Sequence, residues 1–286
     1  MINERRAVHA SVSTRELFVE GEGPTVVLLH GFSHSADAWR PVLNRFAEAR
    51  QAAVAVDLPG FGAAGPARPG AWLPQGDRFV GEAIARHGQH APVVVIGNSL
   101  GSFLTVRAAA SPLRLPIRGI VPTATPGMGW TRLVRAGLAG NVRFLLRAAT
   151  VCAPRFIRSR GADTIVGHLI YGDRAALDMT LVRTLSSQLH SRHGARELLT
   201  QALHMKAEVD AEPTINGISC PTVIVHGGRD RLVALASSEG WHQVIPHSRL
   251  VVLKRAGHCP QLDAPDVIVG FARGLTAVAH NESRPA

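Results

Sequence analysis

Three side chains in this sequence could together activate a hydroxyl for attack on an acyl carbon: Ser99, Asp230 and His258. A serine hydroxyl is a weak nucleophile until a base takes its proton and an acid orients that base. Ser99 lies in Gly97-Asn98-Ser99-Leu100-Gly101, a G-x-S-x-G pentapeptide. Four branched apolar residues, Val93-Val94-Val95-Ile96, precede it, and Ser102 to Ala110 reads as a helix stopped by Ser111-Pro112. A strand running straight into a helix needs a sharp turn. Glycines on either side of the serine let backbone approach where a Cβ would clash, and the serine stands exposed at the strained apex of a nucleophile elbow. Asp230 falls in His226-Gly227-Gly228-Arg229-Asp230 and His258 in Ala256-Gly257-His258-Cys259-Pro260, each just past an apolar run. Serine, then acid, then histidine is the chain order that accompanies such an elbow.

Rival groups have plainer readings. Asp263 is expected to cap the last helix. Asp57 precedes the elbow and is expected to brace the Pro59-Gly60 turn. His190 and His193 stand three apart with no third ligand, and no H-E-x-x-H occurs, so no metal is assigned. The tetrahedral intermediate of acyl transfer carries an oxyanion that needs preorganised N–H donors. The backbone of Leu100 opens the elbow helix, where the dipole helps. The second donor is assigned to Phe32 in His30-Gly31-Phe32, with Ser33 as the fallback; Gly31 permits close backbone approach there.

The elements that must hold these residues alternate. Ala7 to Val12 and Glu16 to Glu20 suggest an edge hairpin. Strands are expected at Thr25 to Leu29, Ala52 to Val56, the elbow run, Ile117 to Val121, Pro221 to His226 and Arg249 to Leu253. Helices are expected at Ala36 to Ala49, Gly76 to Arg86 and Asp266 to Leu275. Such alternation means a parallel sheet with helices on both faces, and ligands bind at the carboxyl edge of its strands. From about Thr125 to Glu212 the pattern turns helical. Trp130 to Val151 reads as one amphipathic helix, with Arg132, Arg135, Arg143 and Arg147 on one stripe. Leu133, Val134, Leu138, Phe144 and Leu145 fall on the opposite side.

Composition bounds the rest. The 286 residues can bury a sizeable core, and no apolar run is long enough to span a membrane. No signal-peptide segment follows Met1, and Cys152, Cys220 and Cys259 are scattered, so a cytoplasmic protein with free thiols is expected. The net charge of +10, with a pI near 11.1, raises nucleic acid as a partner. Twelve Arg or Lys against four Asp or Glu lie between Trp130 and Ala207, and no nucleic-acid motif accompanies them, so that class is set aside.

Taken together, His30-Gly31-Phe32, Asp57-x-Pro59-Gly60-x-Gly62, the elbow, the Asp230 turn and Gly257-His258 resemble the α/β-hydrolase superfamily across essentially the whole chain. The resemblance implies an α/β fold with an eight-stranded, mostly parallel sheet and no cofactor. Its core would be residues 1–124 and 213–286, with a helical cap at 125–212. It implies Ser99 as nucleophile, Asp230 as acid and His258 as base. Expected substrate-pocket residues are His30, Gly31, Ser33, Asn98 and Cys259. The expected reaction is hydrolysis of a small carboxylic ester, or a related and in some cases anionic acyl substrate, through an acyl-enzyme. Gly97-Asn98-Ser99 is also similar to the carbon–carbon bond hydrolases of ring-cleavage diketones. Thioesterase, lyase, cyclase and oxygenase chemistry on the same fold stay open, as does a homodimer.

Overall fold

The chain begins with an antiparallel hairpin, β1 (Asn3–His9) and β2 (Val12–Val19). Its turn lies at Ala10 and Ser11, with φ of 49° and 65°, rather than between the strand limits expected from sequence. A two-residue hairpin loop wants positive φ at both positions, which Ala and Ser do not advertise. The structure, a computed structural model, describes residues 1–137, 155–212 and 215–277, with the backbone alone for 155–158.

The branched apolar runs become β3 (Glu22–Leu29), β4 (Gln51–Val56), β5 (Val93–Asn98), β6 (Ile117–Thr123), β7 (Val223–Gly227) and β8 (Arg249–Leu253). They form one eight-stranded sheet in the order β1-β2-β4-β3-β5-β6-β7-β8. Only the β1–β2 and β2–β4 pairs are antiparallel. The central strands are buried on both faces, which is why they read as unbroken apolar runs.

Helices cover the two faces. On one, α1 (Arg40–Glu48) sets Val42, Leu43 and Phe46 against Val26, Leu28 and Val94 of the sheet, beside the C-terminal helix described below. On the other, α2 (Leu73–His87) and α3 (Leu100–Ala109) bury Phe79, Ile84, Phe103 and Leu104. The α2 helix starts three residues before the expected Gly76. The Glu208 carboxylate accepts the N–H groups of Trp72 and Leu73 at 2.9 and 2.8 Å, capping the helix from 135 residues away in sequence.

Between β6 and β7 the described residues hold helices: α4 (Arg132–Gly137), α5 (Arg155–Ile170), α6 (Met179–Ser186) and α7 (Arg192–Ala211). Two further helices follow that differ from the sequence reading. The first is α8 (Leu235–Val244), which was not expected. The second is α9 (Pro260–Asp263), a short turn ahead of α10 (Pro265–Ala277). Ser99, Asp230 and His258 each follow the carboxyl end of a strand, and so does the Gly31-Phe32 loop.

Candidate active site

The elbow is built by close approach. Ser99 has φ 52° and ψ −114°, a conformation a residue with a Cβ adopts at a cost of about 1–3 kcal/mol. A Cβ on Gly97 would strike the Gly101 carbonyl and Thr105 Oγ1, and one on Gly101 would strike the carbonyls of Leu29 and His30. Only glycine lets β3, β5 and α3 meet this tightly. The Ser99 N–H donates to the Thr123 carbonyl at 2.9 Å, and the Ser99 carbonyl accepts from Phe103 N–H at 2.9 Å, so the strained turn is held from both sides.

Asp230 Oδ2 lies 2.9 Å from Nδ1 of His258. Its other oxygen accepts the N–H groups of Leu232 and Val233 at 2.7 and 3.0 Å, which fixes the carboxylate plane. Burial works to raise the Asp230 carboxyl. The His258 charge and hydrogen bond and the Leu232 N–H outweigh it, and the carboxyl is held below the usual carboxylate range. It is therefore an anion at neutral pH and acts as acceptor for an Nδ1–H, leaving Nε2 of His258 as the basic nitrogen.

The loop carrying His258 is stitched from several sides. Asn98 Nδ2 donates to the His258 carbonyl at 2.9 Å, linking the residue before Ser99 to the loop that carries His258. Asp263 does not cap the last helix. Its carboxylate accepts the N–H groups of Gly257, Gly172 and Asp173 at 2.7, 2.9 and 3.0 Å, tying the His258 loop to the end of α5. There Gly227, Gly257 and Gly172 stack backbone on backbone; a Cβ on any of them would strike the next layer. The Cys259 N–H donates to the Ile170 carbonyl at 3.0 Å in the same contact. Gly172→Ala is expected to lower stability by about 1–3 kcal/mol, as for other overpacked sites, measured as a shift in the urea midpoint. An unchanged midpoint would mean that this contact adds nothing to stability.

The Gly31-Phe32 loop is set by His30. Leu58 N–H donates to His30 Nε2 at 2.9 Å, so Nδ1 carries the proton and donates to the Gly31 carbonyl at 2.8 Å. His34 N–H also donates to that carbonyl, at 3.2 Å. The peptide is trans, so the N–H of Phe32 points away from the two donors that hold the Gly31 oxygen. Leu100 is the first residue of α3, and its N–H has no partner within the helix.

Ser99, Leu100, Gly31, Phe32 and His258 line one cavity of about 260 Å3, with Asp230 buried behind His258. Much of its remaining wall is apolar and comes from the segment between β6 and β7, with Trp130, Val134, Met205 and Val209 and the cation Lys206; Leu232 beyond β7 adds to it. Trp130 Nε1 donates to Asp210 Oδ1 at 2.8 Å, and Lys206 stands 5.2 Å from the Trp130 ring while pairing with Asp210. Helical periodicity carried no sign that α7 would form this wall. His34 also lines the cavity and was not singled out from sequence. Burial, with the charges of His30 and His258, pushes its imidazole down to about 3, so it is neutral there.

The other expected pocket residues sit elsewhere. His30, Asn98 and Cys259 are fully buried and outside the cavity wall. Burial pushes the Cys259 thiol well above the usual range. Ser33 lines a neighbouring hollow with Arg15 and Asp37. Asp57 accepts from Ala36 N–H at 2.6 Å, Ala63 N–H at 2.8 Å and Arg15 Nε at 2.8 Å, so it braces its loop. His190 lies 2.8 Å from Asp163 and His193 is largely exposed. Of the expected basic stripe, Arg132 and Arg135 are exposed on α4, whereas Arg143 and Arg147 lie outside the described residues. Leu133 and Val134, both placed opposite the arginines, part company: Leu133 is 55% exposed and Val134 lines the cavity. Leu138, Phe144 and Leu145 also lie outside the described residues.

The sheet order, the elbow and the strand-end residues are those of an α/β hydrolase, and the alpha/beta hydrolase family matches residues 26–271; the chain belongs to that family. Among curated relatives, the pimeloyl-[acyl-carrier protein] methyl ester esterase of Xanthomonas axonopodis pv. citri (strain 306) is 29% identical over 257 residues, covering 87% of this chain and 94% of the relative. The enzyme of that name from Chromobacterium violaceum is 29% identical over 254 residues, covering 86% and 92%. Among solved structures, 2-hydroxy-6-oxo-6-phenylhexa-2,4-dienoate hydrolase from Rhodococcus sp. strain RHA1 superposes with a TM-score of 0.78 at 23% identity, covering 96% of this chain and 98% of that one. At that identity the likeness speaks to the fold.

Proposed function

We propose that this α/β-fold hydrolase cleaves a small carboxylic ester through an acyl-enzyme on Ser99. The observation that carries the reading is the Asp230–His258 hydrogen bond of 2.9 Å behind a cavity that Ser99 and His258 both line. Ser99 Oγ attacks the ester carbonyl as His258 Nε2 takes its proton, and the oxyanion is held by the N–H groups of Phe32 and Leu100. The C–O bond breaks, and the alcohol leaves with the proton from His258. Water, deprotonated by the same imidazole, then releases the acid. Asp230 stabilises the imidazolium in each half.

The apolar wall of Val134, Met205 and Val209 suits an acyl chain, with the segment 125–212 acting as a cap over it. Lys206 on that wall, and the names of the curated relatives, favour a substrate whose acyl chain ends in or leads to an anionic group. The carbon–carbon bond hydrolase reading rested on Gly97-Asn98-Ser99; the Asn98 side chain lies outside the cavity wall, with its amide donating to the His258 carbonyl, so the ester reading is preferred. Turnover of a panel of methyl and p-nitrophenyl esters, acyl thioesters and ring-cleavage diketones tests the choice: ester cleavage should lead, and cleavage of the diketones alone would overturn it. No described helix is long and apolar enough to cross a membrane. A cytoplasmic setting is in keeping with Cys220 and Cys259 both being free thiols.

The pH dependence follows from which groups stay ionised. The carboxyl of Asp230 is held low, so it remains an anion throughout the range above about pH 4. Burial pushes His30, His34 and His226 down, His34 to about 3, so each favours the neutral imidazole. The acid limb of kcat/KM on the approach to neutrality is therefore expected to come from a group other than Asp230 or His34. A profile whose acid limb lies instead near pH 4, in protein that stays folded, would transfer the limb to a carboxyl.

A further inference from the structure

Away from the Ser99 cavity, three donor side chains converge between the N-terminal hairpin and the last turn of α2. His9 ends β1, Glu16 lies on β2 and His87 is the final residue of α2. The Nε2 atoms of both histidines lie 2.9 Å from the same Glu16 oxygen, Oε1, and the three donor atoms fall within 4.8 Å of one another. Glu16 is fully buried, His9 is 1% exposed and the His87 side chain 9%. None of the three lines the Ser99 cavity.

The surroundings orient these donors. Arg5 Nε donates to the other Glu16 oxygen at 2.7 Å, so the carboxylate presents a single oxygen to the imidazoles. Phe79 packs edge-on against the His9 ring at 5.3 Å, limiting its rotation. Ala10 N–H donates to Glu82 at 2.5 Å, which brings a second carboxylate beside the residue after His9. Burial works to raise the Glu16 carboxyl, but the two imidazoles and Arg5 outweigh it and hold the group well below the usual range, in its anionic form.

We propose that His9, Glu16 and His87 form a binding site for a divalent first-row cation, with Zn2+ the best match, that staples the hairpin to α2. Two imidazoles and one monodentate carboxylate suit zinc rather than the all-oxygen shells of Ca2+ or Mg2+. Donors about 2.0–2.1 Å from a tetrahedral zinc stand about 3.3 Å apart, so the two 2.9 Å spacings to Glu16 open by a few tenths of an ångström while the two imidazole nitrogens, within 4.8 Å of each other, settle to the same separation. Each imidazole binds through Nε2 with its proton carried on Nδ1, and water completes the shell. Arg5 acts as the outer partner that holds the ligating carboxylate.

The test uses full-length protein stripped with chelator and then titrated with Zn2+ alone or Co2+ alone. One equivalent should bind, and zinc at about a hundred times its Kd should raise Tm by several degrees. The Co2+ complex should show tetrahedral d–d absorption without a thiolate charge-transfer band. His87→Gln at the helix end and Glu16→Gln should each weaken binding at least about tenfold, while His193→Gln leaves it unchanged. Folding of each variant is checked by circular dichroism. Sub-stoichiometric uptake by the wild-type protein, a thiolate band, or unchanged affinity in folded His87→Gln would each overturn the site and leave a network of protons only. The wild-type titration and the cobalt spectrum decide the matter even where a variant fails to fold.

Discussion

Ser99→Ala is expected to lower kcat/KM for ester substrates by about four orders of magnitude or more, the usual consequence of removing a nucleophile that works as one unit with its base. Binding should change far less, because the wall of the cavity is contributed by Phe32, Met205, Val209 and other residues that the substitution leaves in place. A fluorophosphonate probe should add to Ser99 alone in the wild-type protein. The alanine variant should also be no less stable than the parent, since the hydroxyl accounts for no hydrogen bond of the elbow while the backbone strain at φ 52° remains. Full turnover by Ser99→Ala, or a probe adduct elsewhere, would remove the acyl-enzyme from the reaction.

The second large effect separates two aspartates that look alike in sequence. Asp230→Asn should lower kcat about 10⁴-fold, because an amide facing Nδ1 favours the wrong tautomer of His258. KM should move little. Asp263→Asn should act differently. It keeps one acceptor oxygen for three N–H donors, so the clasp on Gly257, Gly172 and Asp173 loosens. Its cost should appear first as lower stability, with a loss of kcat that is smaller by orders of magnitude and an unaltered acid limb in the pH profile. Steady-state kinetics and urea unfolding on both variants make the comparison. A harmless Asp230→Asn beside an inactive Asp263→Asn would exchange the two roles.

The sequence was legible where local rules and tertiary demands coincide. The strands β3 to β6 are buried on both faces, so each is a continuous apolar run within two or three residues of its observed limits. Glycine at 97 and 101 marked the elbow because no other residue tolerates that contact. Legibility failed where the partner is distant. The start of α2 is set by Glu208, Asp263 is occupied by Gly172 as well as by its own neighbour Gly257, and Asn98 faces the His258 carbonyl 160 residues away. A side chain's type says what it can bond, never which backbone the fold will bring to it.

By itself, then, the chain determined the alternation of strand and helix, and hence the doubly covered sheet. It also determined the order serine, aspartate, histidine at the ends of strands. The alternation and each turn motif are local properties, set by burial period and by the steric demands of sharp turns, and the order is read directly along the chain. Only the tertiary structure decided that α7 supplies part of the cavity wall and that the Asn98 amide meets the His258 carbonyl. It alone decided that His9, Glu16 and His87, 7 and 71 residues apart, meet at one oxygen atom. Those outcomes depend on loop closure and on the packing of faces whose partners no local period encodes.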